Sequence, residues 1–568
     1  MNWWYIFPFL FLQQLIKAKP EPSQLIQTIK IHQNKFYEST TKNQFFIRGI
    51  AYQKTRQEGE IYDTTKETNY IDPLSNPFTC LRDLENLVEL NINVVRIYQI
   101  NPLANHDVCM NAFASEGIYI IADLSEPFIS IKRDSPHWDT EIFKRYKSVV
   151  DSMSKYNNVL GFFAGNEIAN SQSNIDSAPF IRSSIRDIKK YINDMGYRKI
   201  PIGYASNDDT VIRSNLANYL VCDLPNDEDN ELSKIDFFAI NNYEWCGYST
   251  YATSGYKDLN LEFNKFPTPI FFSEFGCNLI QPRPFTEIES IFNKNMKKIW
   301  SGGIMYEYFE EINHYGLILI KKDQSILKLP DFENLKSKYN AIDDENPVQV
   351  DLNEQIELNN VKCNDLISDT WNIATNLPQT PNSLKCDCLY NSLKCIILPN
   401  SQNSFDEEEF IKNLCYKIDC FEINCNGKIG QYGKYSDCSP LIRASFALNQ
   451  YYLQTGEKEE ICTLQNRGEL QNQSLSKDQE DICFNLLNDE IDSNEKTIKF
   501  HNEKDVKIEP NKSSNESLES SEIIEPELLN PPPINRKSKK KSIGNKLSPK
   551  RLISSIFHVC ILYFVLMR

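Results

Sequence analysis

Eight short runs dense in Ile, Val, Phe and Tyr, separated by longer amphipathic segments over residues 25–335, predict a (β/α)8 barrel, an α/β fold of the TIM-barrel type. A crowd of cysteines over residues 383–485 predicts a small cysteine-rich α/β module behind it. A polar stretch with little to bury then predicts a disordered C-terminal tail.

The eight runs are Phe45–Tyr52, Val94–Ile100, Ile118–Leu124, Val159–Glu167, Ile200–Ser206, Phe237–Trp245, Pro269–Gly276 and Gly303–Phe309. Each is nearly continuous in apolar residues, as a parallel strand covered on both faces must be. Between them, Leu81–Leu90 and Phe180–Met195 carry apolar residues three or four apart, which gives a helix one buried stripe. Residues 336–382 are polar and irregular, with Leu377-Pro378 and Pro381 near their end, and read as a linker. From 486 to 550, Asn, Glu, Lys and Ser surround Pro531-Pro532-Pro533, so this stretch reads as a disordered stalk. The sequons at Asn472, Asn511 and Asn515 are candidate glycosylation sites.

The formal net charge of −16 argues against nucleic acid as a partner, because phosphate binding needs a basic face. The basic run Arg536–Lys541 is too short to change that. Sixteen cysteines suit an oxidising compartment. Zinc is disfavoured, since the tight pair Cys386-Asp387-Cys388 lacks the usual ligand spacing and histidines number six. Residues 1–18 form an apolar leader that reads as a signal peptide. Residues 551–568 carry a second apolar run, Leu552–Met567, short for a span of about 20 residues. Following a polar spacer with small residues at Ser542 and Gly544, it reads as the signal for a GPI (glycolipid) anchor, which predicts a membrane partner and a cell-surface location.

In such a barrel the reactive side chains gather at the C-terminal strand ends. Two glutamates sit there: Glu167, ending Phe162-Phe163-Ala164-Gly165-Asn166-Glu167 on the fourth strand, and Glu274, within Phe271-Phe272-Ser273-Glu274-Phe275-Gly276 on the seventh. Strands four and seven face each other across the mouth, so two carboxyl groups can flank one glycosidic bond. A retaining mechanism needs them about 5–5.5 Å apart, one protonated and one ionised. Asn166 is placed to bond a sugar 2-hydroxyl, which marks Glu167 as acid/base. Glu274 is then the nucleophile, with Tyr243 as a donor. Tyr52, Gln53, Tyr98, Asp123, Asn242, Tyr243 and Tyr306 fall at other strand ends and are candidates for sugar binding, with Glu307 beside them. Arg96 is a candidate for orienting the carboxylates.

Residues 45–315 resemble the fungal β-1,3-glucanosyltransferases of the Gas/Gel/Phr type, glycoside hydrolase family 72. The strings that carry the resemblance are Arg48-Gly49-Ile50-Ala51-Tyr52-Gln53, Ala122-Asp123-Leu124-Ser125-Glu126-Pro127, Gly165-Asn166-Glu167, Tyr243-Glu244-Trp245-Cys246-Gly247, Ser273-Glu274-Phe275-Gly276-Cys277-Asn278 and Gly302-Gly303-Ile304-Met305-Tyr306-Glu307-Tyr308. The resemblance implies cleavage of an internal β-1,3-glucan linkage and transfer of the retained fragment to the non-reducing end of another β-1,3-glucan. It implies no metal and no organic cofactor. Cys386-Asp387-Cys388, Cys395, Gly430-Gln431-Tyr432-Gly433 and Cys438 resemble the X8 module (carbohydrate-binding module 43-like) that accompanies part of the family. By the same resemblance Cys80 pairs with Cys109, Cys246 with Cys277, and Cys222 with Cys363. Pairing inside the module stays open, with Cys425 or Cys483 expected to be unpaired once Cys560 leaves with the tail. Phe275 stands where a tyrosine is common, which is expected to remove a hydroxyl beside the nucleophile. The alternatives are a retaining β-1,3-glucan hydrolase, action on another polysaccharide such as mannan or chitin, and a catalytically silent glucan-binding wall protein.

Overall fold

The structure, a computed structural model, describes residues 22–55, 70–225, 230–343, 347–398, 406–463, 467–471 and 477–488. The leader, the sequons, the stalk beyond Asn488 and the apolar tail lie outside these residues.

Strands Ile47–Ala51, Val94–Ile97, Tyr119–Asp123, Val159–Asn166, Ile202–Asn207, Phe237–Asn241, Ile270–Phe275 and Trp300–Met305 form a closed barrel in chain order, and the eighth pairs with the first. Neighbouring strands are parallel throughout. Each of the eight apolar runs supplies one strand. Side chains alternate across the barrel wall. Ile47, Val94, Ile121, Phe163, Phe237, Phe271 and Ile304 fill the interior, whereas Ile50, Val95, Ile120, Phe238 and Phe272 face the surrounding helices. The rings of Phe163, Phe237 and Phe271 lie within 6.1 Å of one another, so the lumen is a packed core. Below it, the hairpin Ile29–His32 and Lys35–Glu38 inserts Phe36 against Phe237 and Phe271. Where the first and eighth strands meet, Gly302 has φ +97°, and a β-carbon there would fall 2.2 Å from the Ile47 carbonyl oxygen.

The helices start where the sequence caps them. Asn76 accepts from the amide of Phe78 ahead of Pro77–Glu89, and Asp139 accepts from Glu141 and Ile142 ahead of Thr140–Met153.

Residues 336–382 are not a free linker. The helix Pro330–Asn340 runs into them and buries Phe332, Leu335 and Tyr339, whose hydroxyl donates to the Gly49 carbonyl at 2.9 Å. Farther on, Cys363 is disulfide-bonded to Cys222, and Trp371 is buried against Tyr219. A few apolar side chains tie down a segment whose average composition is polar.

The module is built on helices Ser383–Ser392, Glu407–Cys415 and Pro440–Gln454, with Cys395–Ile397 paired antiparallel to Gly468–Leu470. Its disulfides are Cys386–Cys438, Cys388–Cys483, Cys395–Cys462 and Cys415–Cys420. Its final helix, Lys477–Asn488, carries Cys483 and extends past the expected boundary at 485. Cys425 is the free thiol among the described residues. No helix among the described residues is long and apolar enough to cross a membrane.

Candidate active site

The fourth strand delivers Asn166 and Glu167 to the barrel mouth, and the seventh delivers Glu274. Both strands slip register there, between Phe163 and Asn166 and between the partners of Ile240 and Asn241. These irregularities re-aim side chains, as bulges at barrel rims do. Glu167 has φ +51°, a left-handed backbone unusual for a residue with a side chain.

Glu274 is held by three donors. Its Oε1 accepts from the Tyr98 hydroxyl at 2.9 Å and from Arg96 Nη1 at 3.3 Å, and its Oε2 accepts from the Tyr243 hydroxyl at 2.8 Å. Burial, together with the nearby Glu274 carboxylate, raises both phenols well above their ordinary value, so both remain donors.

Glu167 has different company. Its Oε1 accepts from Asn241 Nδ2 at 2.8 Å. Burial and the neighbouring Glu274 charge raise its pKa, opposed by the Asn241 hydrogen bond and by Arg133 and Arg96. The proton is therefore held more tightly than on an ordinary glutamic acid.

Arg96, fully buried on the second strand, connects the two halves. Its guanidinium donates to both oxygens of Asp123 (3.2 and 3.1 Å), to Glu274, and to Asn166 Oδ1 at 2.9 Å. Burial disfavours its charge, but Asp123, Tyr98 and Glu274 outweigh that and raise its pKa. With Asn166 Oδ1 taken by Arg96 and Asn241, the Asn166 amide nitrogen is oriented as a donor. Tyr306 completes an aromatic wall, its ring edge-on to Tyr98, Tyr243 and Tyr315.

The structure thus brings together Glu167, Glu274, Arg96, Tyr98, Asp123, Asn166, Tyr243 and Tyr306. Three other candidates lie elsewhere. Tyr52 points outward and donates to Asp83 Oδ2 at 2.8 Å, fully buried beneath the first helix. Gln53 pins local backbone, accepting from the amides of Tyr98 and Gln99 and donating to Ile71 O. Asn242 is buried and donates to Asp208. In its place stands Asn241, which the sequence reading passed over. Alternation from Phe237 and Ala239, both inward, points Asn241 inward and Asn242 away. Ser273 Oγ donates to Asn241 Oδ1 at 2.7 Å and fixes the amide so that its nitrogen faces Glu167. Phe275 packs outward against Gly303 rather than beside Glu274, so the missing hydroxyl does not concern the site.

The expected disulfides Cys80–Cys109 and Cys246–Cys277 within the barrel, and Cys222–Cys363 from the barrel to the segment behind it, are present. Cys246–Cys277 joins the loops that follow Tyr243 and Glu274. Among the described residues, Cys386, Asp437 and Cys438 bring metal-ligand atoms together, but the two sulfurs are bonded to each other.

Residues 19–343 match the glucanosyltransferase family model, glycoside hydrolase family 72, and residues 393–469 match the X8 domain. The chain is 61% identical to the Candida albicans 1,3-beta-glucanosyltransferase PGA5 over 78% of this chain and 71% of that protein. It is 44% identical to the Saccharomyces cerevisiae 1,3-beta-glucanosyltransferase GAS2 over 84% and 86% of the two chains. The apostructure of a Saccharomyces cerevisiae Gas2p mutant superposes with a TM-score of 0.75 at 43% identity, covering 83% of this chain and 99% of that one. A complex of a Gas2p mutant with laminaritetraose and laminaripentaose gives a TM-score of 0.70 at 43% identity, over 81% and 99%. The chain belongs to the glucanosyltransferase family, glycoside hydrolase family 72, and carries an X8 domain behind its barrel.

Proposed function

We propose that this protein is a retaining β-1,3-glucanosyltransferase with Glu274 as nucleophile and Glu167 as acid/base. The observation that carries the reading is the contrast between the two carboxyl groups. Glu274 accepts from three fixed donors, while Glu167 sits where burial and a neighbouring charge keep its proton. The family match and the laminari-oligosaccharides bound by Gas2p support β-1,3-glucan as donor and acceptor.

In the first step a Glu274 oxygen attacks the anomeric carbon as its bond to the leaving O3 breaks, and Glu167 gives its proton to that oxygen. The reducing-side fragment departs and the retained glucan is left as an ester on Glu274. Asn166, its amide oriented by Arg96 and Asn241, donates to the sugar 2-hydroxyl as positive charge develops. In the second step Glu167, now a carboxylate, takes the proton from the 3-hydroxyl at an acceptor's non-reducing end. That oxygen displaces Glu274, and two inversions give net retention. Tyr98, Tyr243 and Tyr306 offer ring faces and hydroxyls to the sugars beside the bond.

Seven disulfides among the described residues support an oxidising, secretory setting. The run Leu552–Met567, outside those residues, is read as the signal for a lipid anchor at the cell surface. Release of the protein from membranes by a phospholipase that cuts glycolipid anchors tests this, and retention contradicts it.

The catalytic assignment is tested by incubating the Glu167→Ala protein with an activated laminarioligosaccharyl donor and locating the trapped adduct by peptide mass spectrometry. The sugar is expected on Glu274, and Glu274→Gln abolishes it. An adduct on any other residue overturns the assignment.

A further inference from the structure

The loop between the third strand and the helix Thr140–Met153 touches two things at once. In its second half, Arg133 Nη2 donates to the main-chain carbonyl of Glu167 at 2.9 Å. At its end, three successive residues and the first helical amide meet the cysteine-rich module. Ser135 Oγ donates to Glu408 at 3.5 Å, the Cys425 thiol to the Pro136 carbonyl at 3.1 Å, Arg443 to His137 Nε2 at 2.9 Å, and the Thr140 amide to the Asp437 carbonyl at 2.9 Å.

Arg443 is the hub. It is 1% exposed, and its three guanidinium nitrogens are all used: Nε to the Cys438 carbonyl at 3.0 Å, Nη1 to His137, and Nη2 to Glu408 at 2.6 Å. His137 Nε2 accepts from a cation while its Nδ1 lies 3.1 Å from the Ser135 carbonyl, which assigns a neutral ring with the proton on Nδ1. Burial and the Arg443 charge lower its pKa, in agreement with that tautomer. The loop is therefore clasped by an oriented polar network.

Two residues before these contacts, Arg133 meets a residue that needs holding. A left-handed backbone at a glutamate is costly and persists only where the surroundings over-determine it. At Glu167 the restraints on the peptide are its own amide, bonded to the Ala205 carbonyl at 2.9 Å, and Arg133 on its carbonyl.

We propose that the cysteine-rich module is a positioning element of the active site: Arg443 fixes the loop 131–140, and the loop, through Arg133, fixes the backbone that aims the Glu167 carboxyl group. Arg443 and Arg133 are positioning residues, and neither touches sugar. The inference rests on Glu167 being the acid/base.

The test separates positioning of an acid from general damage. Two donors are compared, a laminarioligosaccharide and the same donor with a dinitrophenolate leaving group, the latter read as the initial burst of phenolate. An activated leaving group needs no proton. Arg443→Met and Arg133→Ala are expected to lose about tenfold in kcat/KM on the oligosaccharide, a fraction of what the acid contributes, and at most about twofold in the burst rate. Arg443→Lys, which keeps charge without the fork, falls between. Equal losses on both donors, or none, overturn the proposal. Should Arg443→Met fail to fold by circular dichroism, Arg133→Ala decides, because it leaves the module contacts intact. Glu167→Ala is the reference: it must show the same donor contrast, more strongly. A reference without contrast overturns the acid assignment itself, whereas contrast in the reference but not in the arginine variants overturns only the positioning role.

Discussion

Glu167 and Glu274 carry the same functional group, and the atoms around each support the different roles proposed for them. Because burial and Glu274 raise Glu167, the acid form survives to higher pH than an ordinary glutamic acid, and the alkaline limb of kcat/KM reports its loss. The Asn241 hydrogen bond favours the ionised form and so works against that rise. Asn241→Ala is therefore expected to move the alkaline limb to higher pH while lowering kcat/KM, and a shift toward acid contradicts the assignment. The same pKa has a stability consequence. A carboxyl group raised in the folded state favours folding below its unfolded pKa, and that contribution is lost as pH rises through the folded value. Glu167→Gln removes the penalty of the buried charge, so its thermal midpoint is expected to exceed that of the parent at pH 8 and to match it at pH 4. Equal midpoints at both values contradict a raised pKa.

At the scale of elements, the number and order of the eight strands could be read from continuous apolar runs, because burial on both faces leaves that mark, but their ends could not: the eighth strand is Trp300–Met305, three residues ahead of its run. Finer placement followed alternation, not residue type. Tyr52 and Asn242 are the right kinds of residue at strand ends, yet each has the parity that points away from the mouth, while Asn241 has the parity that points in. The register slip that brings both Ser273 and Glu274 into the site has no sequence mark of its own. The packed segment 336–382 was hidden for another reason. Its anchors, Cys363 and Trp371, are single residues in a polar stretch and leave no period. The disulfide Cys222–Cys363 closes a separation of 141 residues, against 5 for Cys415–Cys420. On loop-closure entropy the first contributes about 5 kcal/mol and the second about 2 kcal/mol. Replacing both cysteines of the long loop by serine is thus expected to lower the midpoint more than the same change in the short one, as measured by thermal unfolding. The reverse order would contradict a clamping role for the segment.

On the scale of the whole molecule, the described residues through Asn488 form one compact unit in which barrel and module share a hydrogen-bonded boundary, and Cys222–Cys363 ties the segment between them to the barrel. The second step of the proposed mechanism needs a hydroxyl at the Glu274 ester. Hydrolysis and transfer then share one covalent intermediate and differ in which hydroxyl reaches it. Product profiling of the protein on a reduced laminarioligosaccharide, by chromatography with mass detection, separates the two. Products longer than the starting chain are expected, with new β-linked residues added in blocks. Shorter products alone, at high substrate concentration, would contradict transfer and make the protein a hydrolase on the same scaffold.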